Sequence, residues 1–402
     1  MFRYLIKRVS VIASILVISC SQTPPRLTDS DINNKFVPYS TFADYIEQKR
    51  NILLAARIDL TDTNRATVLA QNLPFEVQPA RDCYRDGKAG KALLWIHGLY
   101  SSPYEARSIA QHLSGQCFLV RVLLLPGHGT RPGDLLTTDL SAWQQEVSFA
   151  LNKLKHKAHK LYLGGYSMGA ALAVEQMLIR DDIHAGLLFA PSFKINSAFI
   201  AFIQYIKYFK TWLQTADDEI TVRYESLTMH SGVQTYKLSQ RLEDIFATGT
   251  KLKQPVFMAL SDTDTTTDNA YTLEVFNHYI TNPGSKLLLY ARQPPVAAVD
   301  AARIIHANSY FPQQQILSLT HVSLLVPATD AVYGKDGSYK NCVHYSQASD
   351  EYTQCQKQSD YLGEVTSEHL SQGVVRRLNY NPSFKIMLKV LDKFIDSVDG
   401  KQ

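Results

Sequence analysis

Leu161-Tyr162-Leu163-Gly164-Gly165-Tyr166-Ser167-Met168-Gly169-Ala170-Ala171-Leu172 decides how the rest of this 402-residue chain is read. A short apolar run, 161–163, leads into a glycine-flanked serine, and an alanine- and leucine-rich stretch, 168–179, follows at once. The first reads as a buried strand and the second as a helix, which puts Ser167 at the apex of a sharp strand-to-helix turn. Gly165 and Gly169 suit that turn, because a side chain at either place would strike the neighbouring strand or helix. G-x-S-x-G alone arises by chance in about one chain in ten of this length. The strand before it and the helix after it make this match specific, and the helix N-terminus beneath the hydroxyl favours developing negative charge.

The alternation continues on both sides. Runs 92–96 and 118–125 read as buried strands that end in the glycine turns His97-Gly98 and Pro126-Gly127-His128-Gly129. Residues 41–56 and 140–154 are helical, and 187–189 is a strand closed by Ala190-Pro191. Strands resume at 256–260 and 286–290, and an apolar run follows at 316–319. Ile386, Met387, Val390, Leu391, Phe394 and Ile395 give 384–398 helical spacing. Strands alternating with amphipathic helices predict an α/β fold, a mostly parallel central sheet with helices on both faces. The rhythm stops over 192–250, where the aromatic and aliphatic stretch 193–212 predicts an inserted helical cap. The core is therefore expected in two parts, 41–191 and 251–402, the second carrying a long polar loop at 334–355.

At 45% apolar and 19% charged residues the chain can bury a large core and lacks the bias of a disordered or fibrous protein. Its first residues run from a basic start through an apolar stretch, 9–18, far short of the roughly 20 residues that span a bilayer, and end at Ser19-Cys20. This is the layout of an export signal over 1–19. Val17-Ile18-Ser19-Cys20 resembles the lipobox of bacterial lipoproteins, in which the cysteine is lipidated and becomes the new N-terminus; ordinary signal cleavage nearby is the alternative. Lipidation at Cys20 would anchor the protein to a membrane, with the polar, proline-containing 20–40 as a tether. Loss of Arg3, Lys7 and Arg8 takes the formal charge from +4 to about +1, too balanced for a nucleic-acid binder.

Four cysteines remain, an even number in a chain read as exported. Cys83 precedes one core strand and Cys117 opens the next, while Cys342 and Cys355 share one polar segment, so these two pairings are favoured among the three possible, with a free buried thiol the alternative for Cys117, which leads an apolar strand. A metal site is disfavoured by the lack of C-x-x-C or a tight Cys/His cluster.

A serine hydroxyl is a poor nucleophile at neutral pH and requires a base, with a third group to orient that base. The acid is expected in the turn after a later strand. Ser261-Asp262-Thr263-Asp264-Thr265 follows the strand 256–260, and Asp264 is chosen because it lies far enough past the strand to point back across the sheet; Asp262 is the rival, and Asp268 is read as a helix cap. The base is expected on a loop beyond a late strand. His321 fits, after 316–319, in preference to His306, which lies in a helical-looking stretch. Two backbone N–H groups should face the developing oxyanion: that of Met168, and one in the loop after 92–96, assigned to Leu99. His97 and His128 are read as residues that lock their loops.

His97-Gly98, Leu125-Pro126-Gly127-His128-Gly129, Gly165-Tyr166-Ser167-Met168-Gly169 and Thr320-His321, in this order and spacing, resemble the α/β-hydrolase group that contains monoacylglycerol lipases, bacterial carboxylesterases and serine aminopeptidase-like hydrolases. That group's acid turn normally carries glycine where Ser261 stands and valines where Thr266 and Thr267 stand. The resemblance covers roughly 74–398 and implies the α/β-hydrolase fold and a serine hydrolase acting on a small-molecule ester with an apolar acyl group. A peptidase or amidase, with Asp217, Asp218 and Glu219 as a faint amine-binding cluster or merely a solvated helix start, and a non-catalytic surface lipoprotein are the alternatives. No cofactor is implied, because such hydrolysis needs only water and neither a dinucleotide fingerprint nor a metal motif is present.

Overall fold

The computed structural model describes residues 23–32, 35–195, 210–294 and 302–400. The expected signal segment with Cys20, and most of the aromatic stretch of the cap, lie outside the described residues.

Among the described residues one sheet holds nine strands. They are β1 Phe75–Val77, β2 Tyr84–Arg85, β3 Lys88–Ile96, β4 Phe118–Val122, β5 Ala158–Tyr166 and β6 Ala185–Phe189, then, after a separate cap ribbon of β7 Trp212–Gln214 and β8 Leu227–Thr228, β9 Val256–Ser261, β10 Lys286–Ala291 and β11 Ile304–Asn308. The order is β1-β4-β3-β5-β6-β9-β10-β11, with β2 folded back on β3 through Asp86 (φ 51°) and Gly87 (φ 74°), the left-handed pair that a two-residue hairpin turn requires. Every pair from β4 to β11 is parallel, and only β1 and β2 run antiparallel to their neighbours.

Side chains alternate between two cores, as a sheet covered on both faces demands. On β3, Ala92, Leu94 and Ile96 enter the core built with helices Phe42–Ala56, Leu140–Leu154, Met168–Ile179, Met229–Ala247 and Asn269–His278. Leu93 and Trp95 enter the opposite core, against helices Arg107–Ser114 and Phe384–Asp399. The last helix is clamped to the sheet by Asp399, which lies 2.7 Å from Lys160 Nζ, 3.2 Å from Lys91 Nζ and 3.3 Å from His184 Nε2, and accepts a hydrogen bond from Tyr162 at 2.8 Å. Both expected disulfides are present, Cys83–Cys117 joining the β2–β3 hairpin to the start of β4, and Cys342–Cys355 closing a loop of sequence separation 13.

Several expectations need correction. The stretch around His306, read as helical, forms the strand β11, because the open edge of β10 supplies hydrogen-bond partners that outweigh local spacing. The apolar run 316–319 is no strand of the sheet; Ile316 makes only isolated bridges, to Phe311 and Leu362. The segment 20–40 is no free tether where it is described: Leu27 and Tyr39 are buried, Arg26 reaches Ser226 and Asp217 of the cap, and Ser30 N donates to Asp134 at 2.7 Å. The polar loop at 334–355 ends in a helix, Asp350–Gln358, followed by a parallel pair, β12 Tyr361–Gly363 and β13 Val375–Arg377. The cap contains the long helix Met229–Ala247 but also the β7–β8 ribbon, so it is not wholly helical.

Candidate active site

β3 and β5 are sheet neighbours with Ile96 opposite Gly165, so the loop after β3 and the turn after β5 emerge side by side at the carboxyl ends of the strands. Ser167 occupies that turn at φ 56°, ψ −120°, a backbone shape that costs a non-glycine residue energy and recurs at functional sites. The turn is held by Ser167 N donating to Phe189 O on β6 at 2.9 Å. The close fit foreseen for the flanking glycines is real: a Cβ on Gly169 would lie 2.2 Å from Ile96 O, and one on Gly165 would lie 2.6 Å from the Gly169 carbonyl carbon.

Three side chains from distant segments meet here. Ser167 Oγ lies 2.9 Å from His321 Nε2, and His321 Nδ1 lies 2.5 Å from Asp264 Oδ2. All three are almost fully buried, and the Tyr166 ring packs on the imidazole with centroids 5.1 Å apart. Asp264 also accepts from the Thr266 main-chain N–H at 2.7 Å and from Thr267 Oγ1 at 3.2 Å, so of the two threonines only Thr267 brings its hydroxyl to the carboxylate. Burial would raise the Asp264 carboxyl, but the His321 charge and hydrogen bond, the Thr266 N–H and the Arg377 cation together hold it below the usual carboxylate range.

The competitors sit elsewhere. Asp262 has no hydrogen bond to His321, its main-chain N–H donating to Tyr290 O on β10 at 2.9 Å, and Asp268 caps the next helix through Tyr271 N at 3.0 Å. His306 is on the edge strand β11, with Nε2 3.0 Å from Ala291 O. His97 Nδ1–H donates to Gly98 O at 2.8 Å while its Nε2 accepts from Leu125 N at 3.1 Å; His128 Nδ1–H donates to Pro126 O at 3.0 Å while its Nε2 accepts from Tyr100 N at 3.3 Å. Burial pushes the His97 imidazole down to about 4 and that of His128 well below the usual range, so both stay neutral and lock loops. The acidic trio starts no helix: Asp217 pairs with Arg26 at 3.1 Å, Asp218 accepts from Glu225 N at 2.8 Å, and Glu219 accepts from Gln356 at 3.1 Å. Gly98 leaves the approach to the serine open, since a Cβ there would lie 3.2 Å from Ser167 Cβ. Among the described residues, neither Leu99 N–H nor Met168 N–H donates to a protein acceptor.

Sequence reasoning passed over Ser192. Its Oγ lies 3.0 Å from Ser167 Oγ, and its N–H donates to Ser167 O at 3.2 Å. The signal was its place three residues after the end of β6, where Ala190 turns the chain at φ 42°. Glu364 and Arg377, which flank the His321 and Asp264 loops, also went unseen, because nothing near them in sequence marks a site.

A mostly parallel sheet with helices on both faces, a strained serine on the central β5 turn and an inserted cap after β6 define the α/β-hydrolase fold, and that is the fold of this chain. Residues 87–232 match the family described as serine aminopeptidase, S33. The chain is 28% identical over 82 residues to a thermostable monoacylglycerol lipase of Bacillus sp. (strain H-257), an alignment spanning 20% of this chain and 33% of that enzyme's length. Solved structures similar to it include one described for the metagenome-derived lipolytic enzymes LipS and LipT, with TM-score 0.47, 18% identity, and coverage of 54% of this chain and 86% of the other. Another is the monoacylglycerol lipase of Paleococcus ferrophilus, with TM-score 0.44, 16% identity, and coverage of 54% and 87%.

Proposed function

We propose that the protein is a serine hydrolase of carboxylic esters that acts through Ser167, His321 and Asp264. The observation that carries this reading is the unbroken line from Asp264 Oδ2 through the two imidazole nitrogens to Ser167 Oγ, with gaps of 2.5 and 2.9 Å. Asp264 holds the tautomer with the proton on Nδ1, which leaves the Nε2 lone pair to accept the serine proton. Attack on an ester carbonyl forms a tetrahedral oxyanion within reach of the Leu99 and Met168 N–H groups, and loss of one such donor typically costs about 10² to 10³ in rate. Collapse expels the alcohol, protonated by His321, and leaves the acyl group on Ser167. Water, activated by the same imidazole, releases the acid.

The choice of an ester with an apolar acyl group rests on the sequence resemblance, the apolar cap and the similarity to a monoacylglycerol lipase. An aminopeptidase, the activity in the matched family's description, needs an acid to hold the substrate amine, and Asp217, Asp218 and Glu219 are engaged with other groups. A p-nitrophenyl ester series assayed beside aminoacyl naphthylamides tests both readings. Ester turnover should fall by about 10⁴ to 10⁶ in Ser167→Ala. Undiminished turnover in that variant, or faster cleavage of the amides, refutes the proposal, and failure to label with a fluorophosphonate probe would favour a non-catalytic module.

The same reading places the enzyme in the bacterial cell envelope, lipidated at Cys20 on a membrane facing an oxidising space. Residues 17–20 carry this part, and the two disulfides support it, since such bonds persist in oxidising compartments. Metabolic labelling with a fatty acid should mark the wild type and leave Cys20→Ser unlabelled and free of the membrane; an unlabelled wild type ends this part.

A further inference from the structure

His321 does not sit at the end of a sheet strand. It opens a short 3₁₀ turn, His321–Ser323, closed by Thr320 N donating to Ser323 Oγ at 2.9 Å. What fixes that turn comes from later in the chain. The register of β12 on β13 pairs Gly363 with Arg377 and so brings the next residue, Glu364, beside the arginine. Arg377 grips Glu364 with two bonds, Nε to Oε1 at 2.9 Å and Nη2 to Oε2 at 3.1 Å. Glu364, fully buried, uses the same Oε2 to accept from His321 N at 3.2 Å. Thr320 Oγ1 donates to Leu378 O, next to the arginine, at 2.7 Å.

The other reach of the pair is toward the acid. Arg377 Nη2 donates to Thr266 Oγ1 at 3.0 Å, and Thr266 N donates to Asp264 Oδ1 at 2.7 Å. One ion pair therefore touches the backbone of the base and the turn of the acid, two loops that are 57 residues apart in sequence. Its own strand is gripped in turn: Arg377 N donates to Asn341 O at 3.0 Å and Arg376 Nε to Cys355 O at 2.9 Å, on either side of the Cys342–Cys355 disulfide. As a stabilising device a largely buried ion pair is a poor one, because desolvation cancels most of its attraction; what it supplies well is a fixed geometry.

We propose that Glu364 and Arg377 are positioning residues for the His321–Asp264 pair, so that the segment 322–383 is part of the catalytic apparatus. The proposal rests on the serine hydrolase reading above. Misplacing reacting groups by about 1 Å can cost on the order of 10² in rate, and the pair holds both loops within that tolerance.

The experiment compares wild type, Arg377→Gln, Arg377→Lys and Thr266→Val on p-nitrophenyl butyrate, each with its melting curve. Arg377→Gln should lose about 30- to 100-fold in kcat with KM within about twofold, and Arg377→Lys should recover part of that loss. Thr266 is exposed, so Thr266→Val leaves the Glu364–Arg377 pair intact and should fold; its kcat should fall about three- to tenfold. A second readout needs no turnover: the low-field Nδ1–H proton resonance of His321 should be present in wild type, absent in Asp264→Asn, and shifted or broadened in Thr266→Val and Arg377→Gln. Wild-type kcat and an unmoved resonance in Thr266→Val, or losses in Arg377→Gln that appear only in KM or only as a lower melting temperature, overturn the proposal. Inactivity of the wild type on every ester would refute the hydrolase reading, and the resonance would still decide whether the pair orders His321 and Asp264.

Discussion

Replacing Asp264 by asparagine changes one atom pair and tests the whole order of the site. The new side-chain amide would keep its Oδ1 facing Thr266 N, which donates at 2.7 Å, and this places the amide nitrogen where Oδ2 now lies, 2.5 Å from His321 Nδ1. Two N–H donors cannot face each other, so the imidazole would carry its proton on Nε2 and turn a donor toward Ser167 Oγ, 2.9 Å away. The base is then lost although every residue remains in position. Trapping the wrong tautomer costs about 10⁴ in kcat in serine hydrolases with this geometry, and at 1.36 kcal/mol per tenfold the transition state loses about 5 kcal/mol. Asp262→Asn is the matched control from the same turn, because Asp262 makes no bond to His321; its kcat should stay within about threefold of wild type. The assay is kcat for a p-nitrophenyl ester at neutral pH, with circular dichroism melts to show that both variants are folded. If Asp264→Asn kept more than a tenth of the activity, or Asp262→Asn were the weaker enzyme, the assignment of the acid would be wrong.

Three further outcomes follow from the same contacts. Ser192→Ala removes the hydroxyl 3.0 Å from Ser167 Oγ and should lower kcat about five- to tenfold with little change in KM; an unchanged kcat would leave Ser192 a bystander. Asp399→Asn should cost about 2 to 3 kcal/mol in urea unfolding at pH 7, because it leaves Lys91 and Lys160 without their carboxylate. Burial would raise the Asp399 carboxyl, but hydrogen bonds from His184, Lys160 and Tyr162 and the charge of Lys91 hold it well below the usual range, so its contribution is present above pH about 3.8 and lost as pH falls through the lowered folded value. The gap between wild type and variant should therefore narrow only in strong acid, and a gap that stays constant down to pH 2 would contradict the linkage. Paired serines at Cys342 and Cys355 should cost about 3 kcal/mol, from the loop of sequence separation 13, and should lower kcat as well if β13 holds the site; a melting shift with unaltered kcat would separate the staple from the chemistry.

Local patterns were enough for much of this protein. The helices at 140–154 and 168–179 agree with Leu140–Leu154 and Met168–Ile179, and Thr41 caps Phe42–Ala56 with its side chain on Asp44 N, because apolar spacing and capping residues act over a few positions. The serine turn was legible for the same reason: Gly165, Ser167 and Gly169 are answers to a steric demand made within five residues. The strand over 304–308 was misread because its pairing with β10 is a contact between segments, and a short run of mixed residues at an edge carries little periodicity of its own.

Ser167, Asp264 and His321 could be named one by one from the sequence, the first two because each follows a strand and His321 because it follows an apolar run, although that run proved to be no strand; their meeting within 2.9 Å depends on strand order, which brings the ends of β5 and β9 to one rim of the sheet. Glu364 and Arg377 had no such marker, and Ser192 had only its place after β6. Their places depend on the register of β12 on β13 and on the turn after β6, and register is settled by hydrogen bonds between distant segments, which leave no imprint on the residues nearby in the chain.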